Sequence, residues 1–534
     1  MIFKSDKNLI LQYIKQHKKN TLFIVGIGIL ANILTILIPV SIGKYYQLVF
    51  HLHPHRVRFL KVIPDSWWNT VPKFLLFFLG LISLRFLFYF LYEYLLRREA
   101  AIFIKEIKDY LFRHQLYIQP QIYKDQGTGK YLLRYSGDIN SLKNLYVKGT
   151  IRIVIDSLMI LIALWWLYKL NHAGAIAILV LSLFFYGVLR LINKKVEYYS
   201  LKKRNKTSGQ LAFVSRTLQS ILNIIALNKQ KIEHKKYRKR SEYVKQASIK
   251  YNKWFVINKA FISFVQYFIL SVVLYLFFVT KQTTNNAQSN LISFILLYIT
   301  ILPVIRRMFM IETVYKLGHI SLRKLKHILS LSPEAIYEGK KLKVKNPVIQ
   351  FEKVKFPNAQ TAINFKAYKQ QLNTLALPAN VSSLDLILPL LRIQENYSGK
   401  ILINKTDIKD FSPYSVRQNI AIASTHLPFT GKTVYEAITK ARSNKIRSAL
   451  DQKYQGLKAA FNLNLNLDDS IGENGLQLTQ FQKEFLALAR GLLQDKPILI
   501  IDEFPLLSKN YPKILEQILK EQKGTILSLK LNNL

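Results

Sequence analysis

Two carboxylates, Asp502 and Glu503, follow directly on four aliphatic residues, Ile498 to Ile501. A short apolar run introduced by Asp495, Lys496 and Pro497 is expected to be a buried strand of a parallel sheet. The carboxyl end of such a strand is where open α/β sheets bind ligands. An acidic pair there suits nucleotide hydrolysis: the first carboxylate holds Mg²⁺ and the second polarises an attacking water. A solvated acidic turn is the plainer alternative. The segment just upstream favours chemistry, because Phe485–Gly491 (FLALARG) has the apolar spacing of an amphipathic helix.

Read together, IGENG (471–475), the pentad Leu478-Thr479-Gln480-Phe481-Gln482, LALARGLL and DKPILIIDE resemble the nucleotide-binding domain of ATP-binding cassette (ABC) exporters. That family carries VGERG, LSGGQ, LALARALL and ILLLDE in the same order and spacing. Ser398–Val416 (SGKILINKTDIKDFSPYSV) is close to its SGRILIDGVDIRDLDPESL. From Val348 onward, short β-like runs (VIQFEKVKF, NTLALP, GKILIN, NIAIAS) alternate with helical segments, as an α/β domain requires.

The elements that would position this site begin in a membrane. The chain has 534 residues, half of them hydrophobic, no cysteine, and a formal charge of +46. Without cysteine, disulfides and thiolate metal sites are excluded. Six apolar stretches, near 21–49, 71–97, 149–170, 173–192, 254–280 and 289–314, are each long enough for the ~20 helical residues that cross a bilayer. The segments 98–148 and 193–253 are rich in Lys and Arg, and the connections at 171–172 and 281–288 are short. The positive-inside rule then puts both termini and both long segments in the cytosol. The basic charge is assigned to this bias and to anionic lipid head groups, so no nucleic acid partner is expected. His51, His53 and His55 are read as a solvated loop, and no metal site is assigned. No signal peptide or N-terminal peptidase domain is expected.

The expected fold is therefore multi-domain. An all-α membrane domain with six helices of ABC exporter type (1–325) leads through a linker (326–346) to a P-loop NTPase-like α/β domain (347–534). The resemblance adds coupling helices in two intracellular loops. Gly127–Asp138 matches the first loop through Gly129, Arg134 and Asp138, and Phe213–Arg240 matches the second. Charges within the spans, Arg85, Asp156, Arg306 and Arg307, cost ~2.5–3.5 kcal/mol each at a helix centre, so they are assigned to a substrate path or to inter-helix pairs.

The resemblance also shows what has changed. A phosphate loop needs glycines for backbone approach, a lysine, and a hydroxyl for Mg²⁺. Counting back from Gly399, the loop falls on Leu377–Asp385, LPANVSSLD. Leu377, Asn380 and Ser382 stand for the glycines, Ser383 for the lysine, and Leu384 and Asp385 for the Ser-Thr pair. In the signature pentad, Gln480 and Phe481 replace both glycines, and Phe481 is expected to obstruct approach to a γ-phosphate. The adenine-stacking position falls near Asn358 and Phe356, the loop glutamine in Ser424–His426, the aspartate after the acidic pair near Lys509, and the switch histidine near Leu529 or Lys530. Asp502 and Glu503 alone persist. The expected protein is a half-subunit of an ABC exporter in a bacterial inner membrane, exporting a peptide, lipid or other amphipathic molecule. ATP and Mg²⁺ are expected mainly on a second half-transporter, in a heterodimer by preference and otherwise a homodimer. The alternative is a non-hydrolytic scaffold or regulator.

Overall fold

The computed structural model describes residues 9–49, 70–119, 122, 131, 133–135, 137–279, 287–344, 347–357, 359–439 and 444–531. His51, His53, His55, Gly129 and Asn358 lie outside them. The chain divides into two compact units, 1–118 with 122–332, and 119–121 with 333–534.

The first unit is helical. Six of its described helices are long and apolar enough to cross a membrane: Lys18–Gly43, Val71–Leu116, Gly137–Leu170, His172–Gln219, Gln230–Val279 and Leu291–Leu329. Each overlaps one of the six apolar stretches. Their outer faces carry exposed apolar side chains such as Leu76, Phe86, Phe184 and Phe278, as lipid-facing helices do. The second, fourth and fifth have 46, 48 and 50 residues. At 1.5 Å per residue they run about 70 Å, against a hydrocarbon core of ~30 Å. The remainder projects beyond the bilayer.

Polar clusters tie these projections together. Asp138 is buried and accepts hydrogen bonds from Arg134 Nη1 (2.6 Å), Arg204 Nη2 (2.7 Å) and Ser321 Oγ (2.9 Å), which joins three helical segments. Further along, buried Asn193 accepts from Asn258 Nδ2 (2.8 Å) and donates to Glu312 Oε2 (3.1 Å). The third span starts with a π-turn, Val147–Arg152, a form often found at functional positions. Arg152, the last residue of that turn, pairs with Glu93 of the second span.

The second unit holds two four-stranded sheets. Strands β1 (Ile349–Lys355), β2 (Ile363–Ala367), β4 (Ser398–Ile403) and β5 (Thr406–Asp407) form an antiparallel sheet in the order β2-β1-β4-β5. Strands β3 (Leu372–Leu377), β6 (Ile420–Ala423), β7 (Ile498–Ile501) and β8 (Thr525–Leu531) form a parallel sheet in the order β3-β8-β7-β6. Every residue of β6 and β7 is buried, which is why both read as unbroken apolar runs. Because all four strands run the same way, their carboxyl ends share one edge.

Candidate functional site

That edge gathers the residues with chemistry. Asp502 follows β7 and is 5% exposed. Its Oδ2 accepts from Ser424 Oγ at 2.6 Å, and its Oδ1 accepts from Glu503 N–H at 2.9 Å. His426 Nε2 stands 3.7 Å from Oδ2. Ser424 and His426 follow β6, the neighbouring strand, so the segment expected to lack the loop glutamine does sit beside the acidic pair. Glu503 is half-buried.

The loop after β3 opens onto the same edge. Asn380 has φ +66°, a left-handed conformation that asparagine tolerates better than most residues. Ser382 caps the helix Ser383–Leu390, and Asp385 completes a capping box: Ser382 N–H donates to Asp385 Oδ2 at 3.0 Å, and Asp385 N–H donates to Ser382 Oγ at 3.3 Å. Ser382 Oγ–H also donates to Asp385 Oδ2, at 2.8 Å. A helix N-terminus attracts anions through free N–H groups and its dipole. Here the chain's own carboxylate takes that place. Ser383, at the lysine position, is buried, and its Oγ has no partner among the described residues. Leu377 and Phe356 are core residues, and Phe356 lies beside Tyr397 with ring centroids 6.4 Å apart.

The pentad is self-capped in the same manner. Thr479 Oγ1 accepts from Gln482 N–H (3.2 Å), and Thr479 N–H donates to Gln482 Oε1 (2.9 Å), at the start of the helix Gln480–Leu492. Leu478 is buried and Gln480 exposed. Phe481 is half-buried, its ring 5.9 Å from that of Tyr511. Gly472 (φ +68°) and Gly475 (φ +77°) make the turn that leads in. Lys509 lies in the helix Pro505–Asn510, and Leu529 and Lys530 lie within β8, Leu529 buried.

Three residues had no role in the sequence reading: Glu484 and Arg490 at this edge, and Lys496 at the opposite, amino end of β7. Glu484 is 2% exposed and accepts from the backbone N–H groups of Leu506 (2.9 Å) and Leu507 (3.1 Å), which fixes the turn after the acidic pair. Arg490 Nη2 donates to the carbonyls of Ser424 (2.6 Å) and Leu427 (3.2 Å), which fixes the turn after β6. Lys496 Nζ donates to the carbonyls of Arg417 and Ile420. Burial lowers the pKa of both cations, which have carbonyls rather than carboxylates for company. Arg490 shows in the sequence as a cation inside an apolar run, whereas Lys496 stands among the polar residues before β7 and gives no such signal. Glu484→Ala leaves two buried donors unmet, so thermal unfolding should report a loss of about 2–3 kcal/mol, with Glu484→Gln losing less.

In the first unit the four charged positions separate. Asp156, 4% exposed, takes a bidentate contact from Arg307, Nε to Oδ2 at 2.7 Å and Nη2 to Oδ1 at 2.8 Å, across the third and sixth spans. Arg306 turns to the fifth span, Nη2 donating to Ser263 Oγ at 2.8 Å. Arg85 Nε donates to Thr35 Oγ1 at 3.0 Å on the first span. Among the described residues neither Arg85 nor Arg306 meets a carboxylate.

The family models decide the identity. The ABC transporter transmembrane region matches residues 21–304, and the ABC transporter domain matches 385–505. The chain belongs to the ABC transporter family. It is an ABC exporter half-transporter, a multi-pass membrane protein with a nucleotide-binding domain. Among similar proteins, an "ATP-dependent lipid A-core flippase" of Nitrosococcus oceani is 24% identical over 446 residues, covering 81% of this chain and 74% of that protein. One of the same description from Photorhabdus laumondii is 23% identical, covering 80% and 75%. A solved bacterial Atm1-family ABC exporter with ATP bound superposes with a TM-score of 0.80 at 16% identity, covering 96% of this chain and 91% of that one, which establishes the fold. ABC domains bind ATP and Mg²⁺, and ABC half-transporters act in pairs, so a second ABC subunit completes this one.

Proposed function

We propose that this ABC half-transporter is the catalytically deficient member of a pair in a bacterial inner membrane, with both termini cytosolic. In this reading residues 1–325 supply half of the export path, 326–346 a linker and 347–534 a degenerate nucleotide domain. The observation that carries it is the Asp385 carboxylate on the N–H of Ser382. The residues present do not fit a triphosphate: the helix end is already satisfied by an anion, the lysine is absent, and a second anion at the same place is repelled. The match to the ABC domain begins only at Asp385, which leaves the rest of the loop outside it. A partner with an intact phosphate loop and signature would hold ATP and Mg²⁺. Arg85 and Arg306 favour an amphipathic anion as cargo, in keeping with relatives described as lipid flippases.

The test is to purify the chain from its native membrane and assay ATPase activity. The expected result is recovery with a second ABC half, with hydrolysis that survives Glu503→Gln in this chain. Robust hydrolysis by this chain alone, abolished by Glu503→Gln, refutes the reading. Recovery without any ABC partner and without hydrolysis favours a homodimeric scaffold or regulator.

A further inference from the structure

The third membrane helix is built in two parts, joined where its apolar stretch begins. Gly137–Tyr146 precedes the join and Ile153–Leu170 follows it. Val147–Arg152 between them is the π-turn, which carries one residue more than a continuous α-helix needs. No proline lies between 137 and 170, so this turn is the helix's own departure from α geometry. Two carbonyls at the join take side-chain donors. Thr150 Oγ1 donates to Leu145 O at 3.1 Å, and the Tyr315 hydroxyl of the sixth span donates to Gly149 O. Just beyond, Asn32 Nδ2 of the first span donates to Ile155 O at 3.4 Å. The sixth span comes close here: a Cβ on Gly318 would lie 2.6 Å from Leu145 Cβ. The two parts are anchored separately. Asp138 ties the first to Arg204 and Ser321, and Asp156 ties the second to Arg307. Arg152, at the join itself, pairs with Glu93 of the second span.

We propose that Val147–Arg152 is a hinge, at which Gly137–Tyr146 swings against the membrane-crossing part of the helix, and that Tyr315 is its latch. Sharp helix bends concentrate at π-turns, where the backbone ladder is locally re-spaced and either flank keeps its own hydrogen bonds. The bond from Tyr315 comes from a different span, so the shape of the turn depends on where the sixth span stands. A wide turn kept for packing alone would need no hydroxyl from another helix, because a phenylalanine ring fills the same space.

Hydrogen exchange of the full-length chain in neutral detergent tests this, since local opening is what it reads. Amides over 147–154 should exchange faster than those over 137–146, although the latter lie outside the apolar stretch and nearer to water. Tyr315→Phe keeps the ring and removes the latch, and should speed exchange over 147–154 by about three- to tenfold, the effect of one hydrogen bond on an opening equilibrium, with both flanks unchanged. Deletion of the exposed Lys148 takes out the extra residue, leaves both flanks in register, and should slow exchange over the join. The chain has no cysteine, so spin labels at Asn144→Cys and Trp165→Cys, both exposed positions, report the bend without background. Their distance distribution should be broad in the otherwise native chain, broader with Tyr315→Phe and narrow with the deletion. Melting temperatures show which variants are folded, and Tyr315→Phe, which preserves chain length, decides if the deletion variant is not. Exchange over 147–154 no faster than over 137–146, a Tyr315→Phe effect spread evenly along the helix, or no effect of Tyr315→Phe on exchange and distances overturns the inference. None of these readouts depends on nucleotide or on a partner chain.

Discussion

Arg307→Ala should destabilise the membrane unit by about 1.5–3 kcal/mol, the usual contribution of hydrogen bonds to a charged group, because Asp156 is buried while the Arg307 side chain is 43% exposed. Its carboxylate, Asp156, is 4% exposed and bonded through both oxygens to Arg307, so without the guanidinium both oxygens lose their donors. Protonation of Asp156 relieves part of the penalty but leaves it with no partner of matching shape. Arg307→Lys retains a charge and loses the fork, so it should fall between wild type and Arg307→Ala. Asp156→Asn with Arg307→Gln should be more stable than either single change, because no unpaired charge is left. A double-mutant cycle on melting temperatures in detergent gives the coupling directly. A melting temperature unchanged in Arg307→Ala would show that the pair contributes nothing to holding the third span against the sixth.

The spans could be read from sequence because a lipid-crossing helix needs only length and apolarity, both local properties. The same holds for β7, whose four buried residues form an unbroken aliphatic run. The Asp156–Arg307 pair joins residues 151 positions apart, and nothing near either one announces the other. Strand β2 was missed since INFKA mixes polar and apolar residues over five positions, and its place is fixed by pairing with β1. The two capping boxes are a different case. Ser-x-x-Asp at 382–385 and Thr-x-x-Gln at 479–482 have the spacing of helix starts, yet comparison with the family's glycines drew attention to what those segments had lost. In the structure Ser382 and Asp385 cap one helix, and Thr479 and Gln482, the two pentad positions that keep a hydroxyl and a glutamine, cap the other.

Rebuilding the loop should reverse that closure. Ser382→Gly, Ser383→Lys and Asp385→Thr together remove the internal carboxylate, free the Ser382 N–H donor position, and add a lysine and a hydroxyl. A charge-assisted contact contributes about 1.5–3 kcal/mol, and loss of the repelling aspartate adds to it. A total near 3 kcal/mol corresponds to about a hundredfold tighter binding of Mg·ATP by this chain, measured by titration with a fluorescent nucleotide. The capping box costs about 1 kcal/mol to remove, so the helix Ser383–Leu390 survives only if its buried face, Leu386, Ile387 and Leu390, holds it in place. Ser383 is itself buried, and lysine fits there only by extending toward the sheet edge. Asp385→Ala alone avoids that difficulty and should give a smaller gain in the same direction. If wild-type chain binds Mg·ATP as tightly as the rebuilt loop, Asp385 does not close the site, and the deficiency lies elsewhere.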